Sequence, residues 1–92
     1  MRESKVEKLL GEFCKAKGIT FQKQNGPGER GKADRLLMRN GVAAFLEIKR
    51  FGEVPTPSQL RYLAGRVNDG FAAGWCDNVE DGKKFIIKTF KS

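Results

Sequence analysis

The chain has 92 residues, 39% of them hydrophobic, which suffices for one small core and is too little for two domains. Eighteen Lys and Arg against eleven Asp and Glu give a net charge of +7, which favours a polyanionic partner, nucleic acid first. Histidine is absent, which removes Ser-His-Asp hydrolases, histidine-metal nucleases, paired-histidine RNases and most zinc enzymes together and leaves carboxylates, lysine or a bound ion for any chemistry.

No run approaches the roughly 20 apolar residues that cross a bilayer, and Met1-Arg2-Glu3-Ser4-Lys5 opens no signal-peptide core, so the chain is expected to be soluble, intracellular and cytoplasmic. Cys14 and Cys76 form no C-x-x-C pair and are expected as reduced, half-buried thiols.

From Ser4 to Lys17, Val6, Leu9, Leu10, Phe13 and Ala16 recur at helical spacing, and Gly18 supplies a left-handed stop. Ile19 to Lys23 reads as a short strand, followed by a loop with three glycines and a proline at positions 24–31. That loop lacks G-x-x-x-x-G-K-[ST], which argues against a nucleotide-binding P-loop. Two apolar runs, Arg35 to Arg39 and Val42 to Lys49, flank Asn40-Gly41, the dipeptide suited to a type I′ hairpin turn. A second helix opens with Thr56 as cap, Pro57 at the first helical position and Gln59 completing a capping box, and its buried stripe is expected to be Leu60, Leu63, Ala64 and Val67. Phe71 to Cys76 reads as another strand. Asp77 or Asn78 then caps a last helix with Val79, Phe85, Ile86 and Phe90 facing inward, although Asp81-Gly82 also suits a hairpin turn into a strand at Phe85. The helix is the preferred reading, and the order is α-β-β-β-α-β-α.

The hairpin turn fixes a register. With Asn40 and Gly41 as its two loop residues, Arg39 faces Val42, Met38 faces Ala43, Leu36 faces Phe45 and Asp34 faces Glu47. Two carboxylates roughly 5 Å apart across a ladder destabilise a sheet unless a positive group lies between them, and a hard divalent ion would serve. Lys49 shares the Glu47 face by the period of two, while Ala44, Leu46 and Ile48 point to the other face. Acid-x-lysine alone also describes an ordinary ion pair on an exposed sheet face; the Asp34 partnership and the basic composition favour a site. Glu7, at the margin of the first helix's apolar stripe, is the candidate third ligand, against the reading of a solvated helix carboxylate. Gln59 divides between capping its helix and lining the site. Lys23, Arg30, Lys32, Arg35, Arg50 and Arg61 are candidate phosphate contacts.

Taken together, these residues resemble the PD-(D/E)XK nuclease superfamily, and within it the VRR-NUC (virus-type replication-repair nuclease) domain of stand-alone viral type. The resemblance runs through Glu7, Gly31-Lys32-Ala33-Asp34-Arg35, Glu47-Ile48-Lys49 and Gln59, nearly the whole chain. It implies a restriction-endonuclease-like α/β core, a central mixed sheet flanked by helices, spanning residues 1–92 as a single domain. It further implies a metal-dependent endodeoxyribonuclease in which Glu7, Asp34, Glu47 and the Ile48 backbone carbonyl bind Mg²⁺ or Mn²⁺. Lys49 would orient the attacking water and Gln59 would border the site. The proline that usually precedes the aspartate is Ala33 here, which bears on loop rigidity more than on chemistry. Viral members imply branched DNA such as a four-way (Holliday) junction as substrate, a homodimer, and action in the host cytoplasm. The alternative is a non-catalytic basic domain that holds phosphates without cutting.

Overall fold

The structure, a computed structural model, describes residues 1–24 and 33–91. Its elements are α1 (Glu3–Ala16), β1 (Thr20–Lys23), β2 (Arg35–Arg39), β3 (Val42–Ile48), α2 (Pro57–Asn68), β4 (Ala72–Cys76) and α3 (Val79–Phe90), in the expected order. The Gly-rich segment, with Arg30 and Lys32, lies outside the described residues. No described helix is long and apolar enough to cross a membrane.

Asn40 and Gly41 both take positive φ, 50° and 80°, as a type I′ turn requires, and the hairpin pairs Arg39 with Val42, Met38 with Ala43 and Leu36 with Phe45 in the expected register. The sheet runs β1-β2-β3-β4, antiparallel except between β3 and β4. Parallel neighbours need a crossover, and α2 is that crossover.

One sheet face, carrying Leu37, Ala44, Leu46, Ile48 and Cys76, forms a closed core with Val6, Leu10 and Cys14 of α1 and Ile86 and Phe90 of α3. The Phe45 ring, on the opposite face, meets Tyr62 of α2 and Phe71 edge-on at centroid distances of 6.1 and 5.6 Å. The α2 stripe differs from expectation: Leu63 is buried, but Leu60 and Val67 are 46% and 55% exposed and Ala64 faces solvent. The inward side passes instead through Gln59, Tyr62 and Arg66, because Arg66 stacks on Phe45 and Tyr62 and Gln59 turns toward Glu47. Ala16, likewise expected inward, is exposed at the last turn of α1.

Gly82 settles the last element. A Cβ there would lie 2.6 Å from Leu10 Cδ1 and 3.2 Å from Cys76 Sγ, so the glycine permits α1 and α3 to approach and is a packing residue of a helix rather than a turn. Asn78 caps α3 by accepting from Asp81 N at 2.8 Å. The cysteines are fully buried rather than half-buried, and burial pushes the Cys14 and Cys76 thiols up to about 11 and about 12, which keeps them protonated and unreactive. At the hairpin end of β2, Arg39 donates to Lys17 O (3.0 Å) and Phe90 O (2.7 Å), closing the C-terminal ends of α1 and α3.

Candidate active site

The opposite end of β2 gathers the acids. One step past the last ladder pair, Arg35 with Leu46, Asp34 sits at a bend opposite Glu47. The two residues are cross-linked through their backbones: Asp34 N donates to Glu47 Oε1 (3.2 Å), and Ile48 N donates to Asp34 Oδ2 (3.1 Å). Each carboxylate therefore has one oxygen fixed by an amide, which allows two like charges to stand side by side at a strand end.

Glu47 is the one buried charged residue among those described, 1% exposed, so it does not lie on an exposed sheet face. Its Oε2 accepts from Gln59 Nε2 at 3.0 Å and lies 3.6 Å from Lys49 Nζ. Burial, then the neighbouring Asp34 charge, pushes the Glu47 carboxyl up to about 7, with Lys49 pulling the other way. Gln59 both caps its helix and reaches Glu47. Its Oε1 accepts from Thr56 N (2.8 Å) while Thr56 Oγ1 accepts from Gln59 N (3.1 Å), and its amide nitrogen still reaches Glu47.

From α1, Glu7 comes to the same place beside Arg35, with 3.1 Å between Glu7 Oε2 and Arg35 Nη2. Glu3, one helical turn earlier, joins it: Glu3, Glu7 and Asp34 each offer a carboxylate oxygen, all within 4.8 Å of one another. Burial, followed by the charges of Asp34 and Glu7, raises the Glu3 carboxyl above its usual value. Glu47 is not part of this trio and connects to it through the Asp34 backbone. Glu3 escaped sequence reasoning; the available signal was its i,i+4 spacing from Glu7, a like-charge pair that weakens a helix unless something positive compensates.

The candidate phosphate contacts fall into two groups. Lys23 and Arg61 are exposed on β1 and α2, and Arg50 is exposed and paired with Glu53 at 2.8 Å. Arg35 instead gives Nη2 to Glu7 and lies over the Phe21 ring at 4.8 Å.

No protein-family model matches the chain. It is 48% identical over 63 residues to "Putative nuclease p44" of Acyrthosiphon pisum secondary endosymbiont phage 1, covering 66% of this chain and 67% of that protein. A solved VRR-NUC domain superposes with a TM-score of 0.82 at 28% identity, covering 91% of this chain and 92% of that one. The chain belongs to the VRR-NUC family of nucleases. A second VRR-NUC structure, at 16% identity and a TM-score of 0.82 over 99% of this chain, shares the fold.

The VRR-NUC fold generally implies a divalent ion, and the donor set suits one. Three clustered carboxylates are hard oxygen ligands with no sulfur or imidazole among them, the set that Mg²⁺ and Mn²⁺ prefer.

Proposed function

We propose that this VRR-NUC chain is a Mg²⁺- or Mn²⁺-dependent endonuclease that hydrolyses DNA phosphodiester bonds, acting as a homodimer on branched DNA such as four-way junctions. The observation that carries this reading is the convergence of Glu3, Glu7 and Asp34 beside the buried Glu47–Lys49 pair.

When bound, the ion supplies Lewis-acid polarisation of the phosphate and a water of lowered pKa. Glu7 and Asp34 offer ligand oxygens from two elements, with Glu3 at the helix start, and Glu47 and the Ile48 backbone carbonyl complete the candidate set. Lys49, beside Glu47, orients the attacking water and stabilises charge developing on the phosphoryl oxygens. Gln59 holds Glu47 in place from α2. Lys23, Arg50 and Arg61, together with Arg30 and Lys32, neutralise backbone phosphates, which carry no sequence information, in keeping with recognition of DNA shape over bases. Cutting both strands of a junction takes two centres, and a small chain with one acidic centre among its described residues supplies two as a dimer.

Plasmid nicking in Mn²⁺ tests the core of the proposal. Wild type should nick, whereas Glu47→Ala and Lys49→Ala should not; activity that survives both substitutions sinks the assignment. Salt-sensitive binding that persists in EDTA without nicking would instead identify a non-catalytic binding domain. Equal cutting of junction, duplex and single strand removes the junction claim, and a strictly monomeric species in solution removes paired cutting.

A further inference from the structure

Arg35 is held unlike an ordinary surface cation. Its guanidinium lies over the Phe21 ring at 4.8 Å, its Nη2 meets Glu7 Oε2 at 3.1 Å, and the two side chains are only 18% and 26% exposed. Among the described residues its Nε has no hydrogen-bond partner, and the group is held by the ring on one side and the carboxylate on the other. The Arg50–Glu53 pair, 67% and 48% exposed, has a carboxylate but, among the described residues, no ring to hold the guanidinium.

The charges of the site give this placement a meaning. Glu3, Glu7, Asp34 and Glu47 contribute four carboxylates, and Arg35 and Lys49 contribute two cations in contact with them. With all four carboxyls ionised, the state a bound cation favours, two negative charges remain, the number that one divalent ion balances. In sites that take two ions, a second cation bridges carboxylates; here a tethered guanidinium stands on Glu7.

We infer that Arg35 is a positioning residue that takes the place of a second metal ion, holding Glu7 on the acidic trio so that the site is completed by one divalent ion. The inference rests on the metal-dependent reading above. It carries an unusual signature. A positive charge in contact with a carboxylate of the site opposes binding of a cation there, so removing Arg35 should tighten the first ion by about tenfold or more and admit a second.

The test is a Mn²⁺ titration of the full chain, with free Mn²⁺ read by electron paramagnetic resonance and folding checked by thermal melting. Wild type should take up one Mn²⁺ per chain, Arg35→Met more than one with a tighter first ion, and Arg35→Lys, which keeps the charge, one. Two ions of comparable affinity on the wild type overturn the inference. So does an Arg35→Met protein that binds one ion with affinity within about twofold of wild type, since that affinity change is the expected Coulomb effect. Should Arg35→Met fail to melt cooperatively, the wild-type stoichiometry and Arg35→Lys decide the matter. A wild type that takes up no Mn²⁺ at all, and nicks no plasmid, identifies failure of the metal-dependent reading itself.

Discussion

Arg35 and Arg39 stand at the two ends of β2, on the same face, each over a phenylalanine ring, and they meet opposite surroundings. Arg39 donates to two neutral backbone carbonyls, Lys17 O and Phe90 O, at the ends of two helices. Arg35 meets a carboxylate in a cluster where acids outnumber bases. At the first end the helix-terminal acceptors have their donor and nothing further is required, so that end is structural. At the second, folding has gathered acids that outnumber the cations beside them, the imbalance on which the proposed metal site rests.

The largest effect expected from this contrast is on catalysis. Asp34→Asn should lower nicking in Mn²⁺ by roughly 10³-fold, the order seen when a group acting on the transition state is lost, without loss of cooperative melting. Retained activity would mean that the acidic end is not the reactive one. Arg39→Met should do the reverse, costing about 3–4 kcal/mol in denaturant melts for two charge-assisted hydrogen bonds and leaving nicking per folded molecule unchanged. A change in Mn²⁺ affinity in that variant would erase the distinction between the two ends.

The third effect depends on pH. The Glu47 carboxyl is raised from 4.5 to about 7 in the folded chain, so its protonated form favours folding. Without metal, stability from this group is complete below pH 4.5 and is lost as pH climbs through about 7, by no more than about 3 kcal/mol. Urea melts across that range should show the decline, Glu47→Gln should flatten it, and saturating Mg²⁺ should reverse it above pH 7; a flat wild-type profile would contradict the burial argument. The smallest effect is a packing one. Gly82→Ala should cost about 2 kcal/mol by forcing the buried Leu10 from its place, with Mn²⁺ binding unaltered.

Much of the fold was legible because local chemistry dictated it. Asn40-Gly41 fixed the hairpin and its register, Gly18 takes φ 69° after α1, and Thr56, Pro57 and Gln59 mark the start of α2. The site's skeleton followed from that register, since Asp34 and Glu47 come together by counting along two strands. What escaped depended on distant partners. The inward side of α2 follows Tyr62 and Arg66 rather than Leu60 and Val67, because stacking on Phe45 outweighed hydrophobicity. The last helix is the preferred reading and is present, but Gly82 leaves a hairpin alternative open in the sequence because its packing partner, Leu10, lies on another helix. Nothing local separates Arg35 from Arg39, and Glu3 gains its meaning only where α1 meets the strand end.

The Gln59 side chain has both ends of its amide in use, the oxygen on Thr56 N and the nitrogen on Glu47 Oε2. Position 59 therefore meets two structural demands at once, the start of α2 and the contact with Glu47. Glutamate, one nucleotide change away, serves a capping box as well as glutamine does and would keep the helix start, yet it would set a second carboxylate against a buried one. Asparagine is too short to span the distance, and alanine gives up both contacts. A lineage that keeps the helix and keeps the chemistry has a single residue type to choose from, so this position should vary least where neighbouring residues of α2 vary freely.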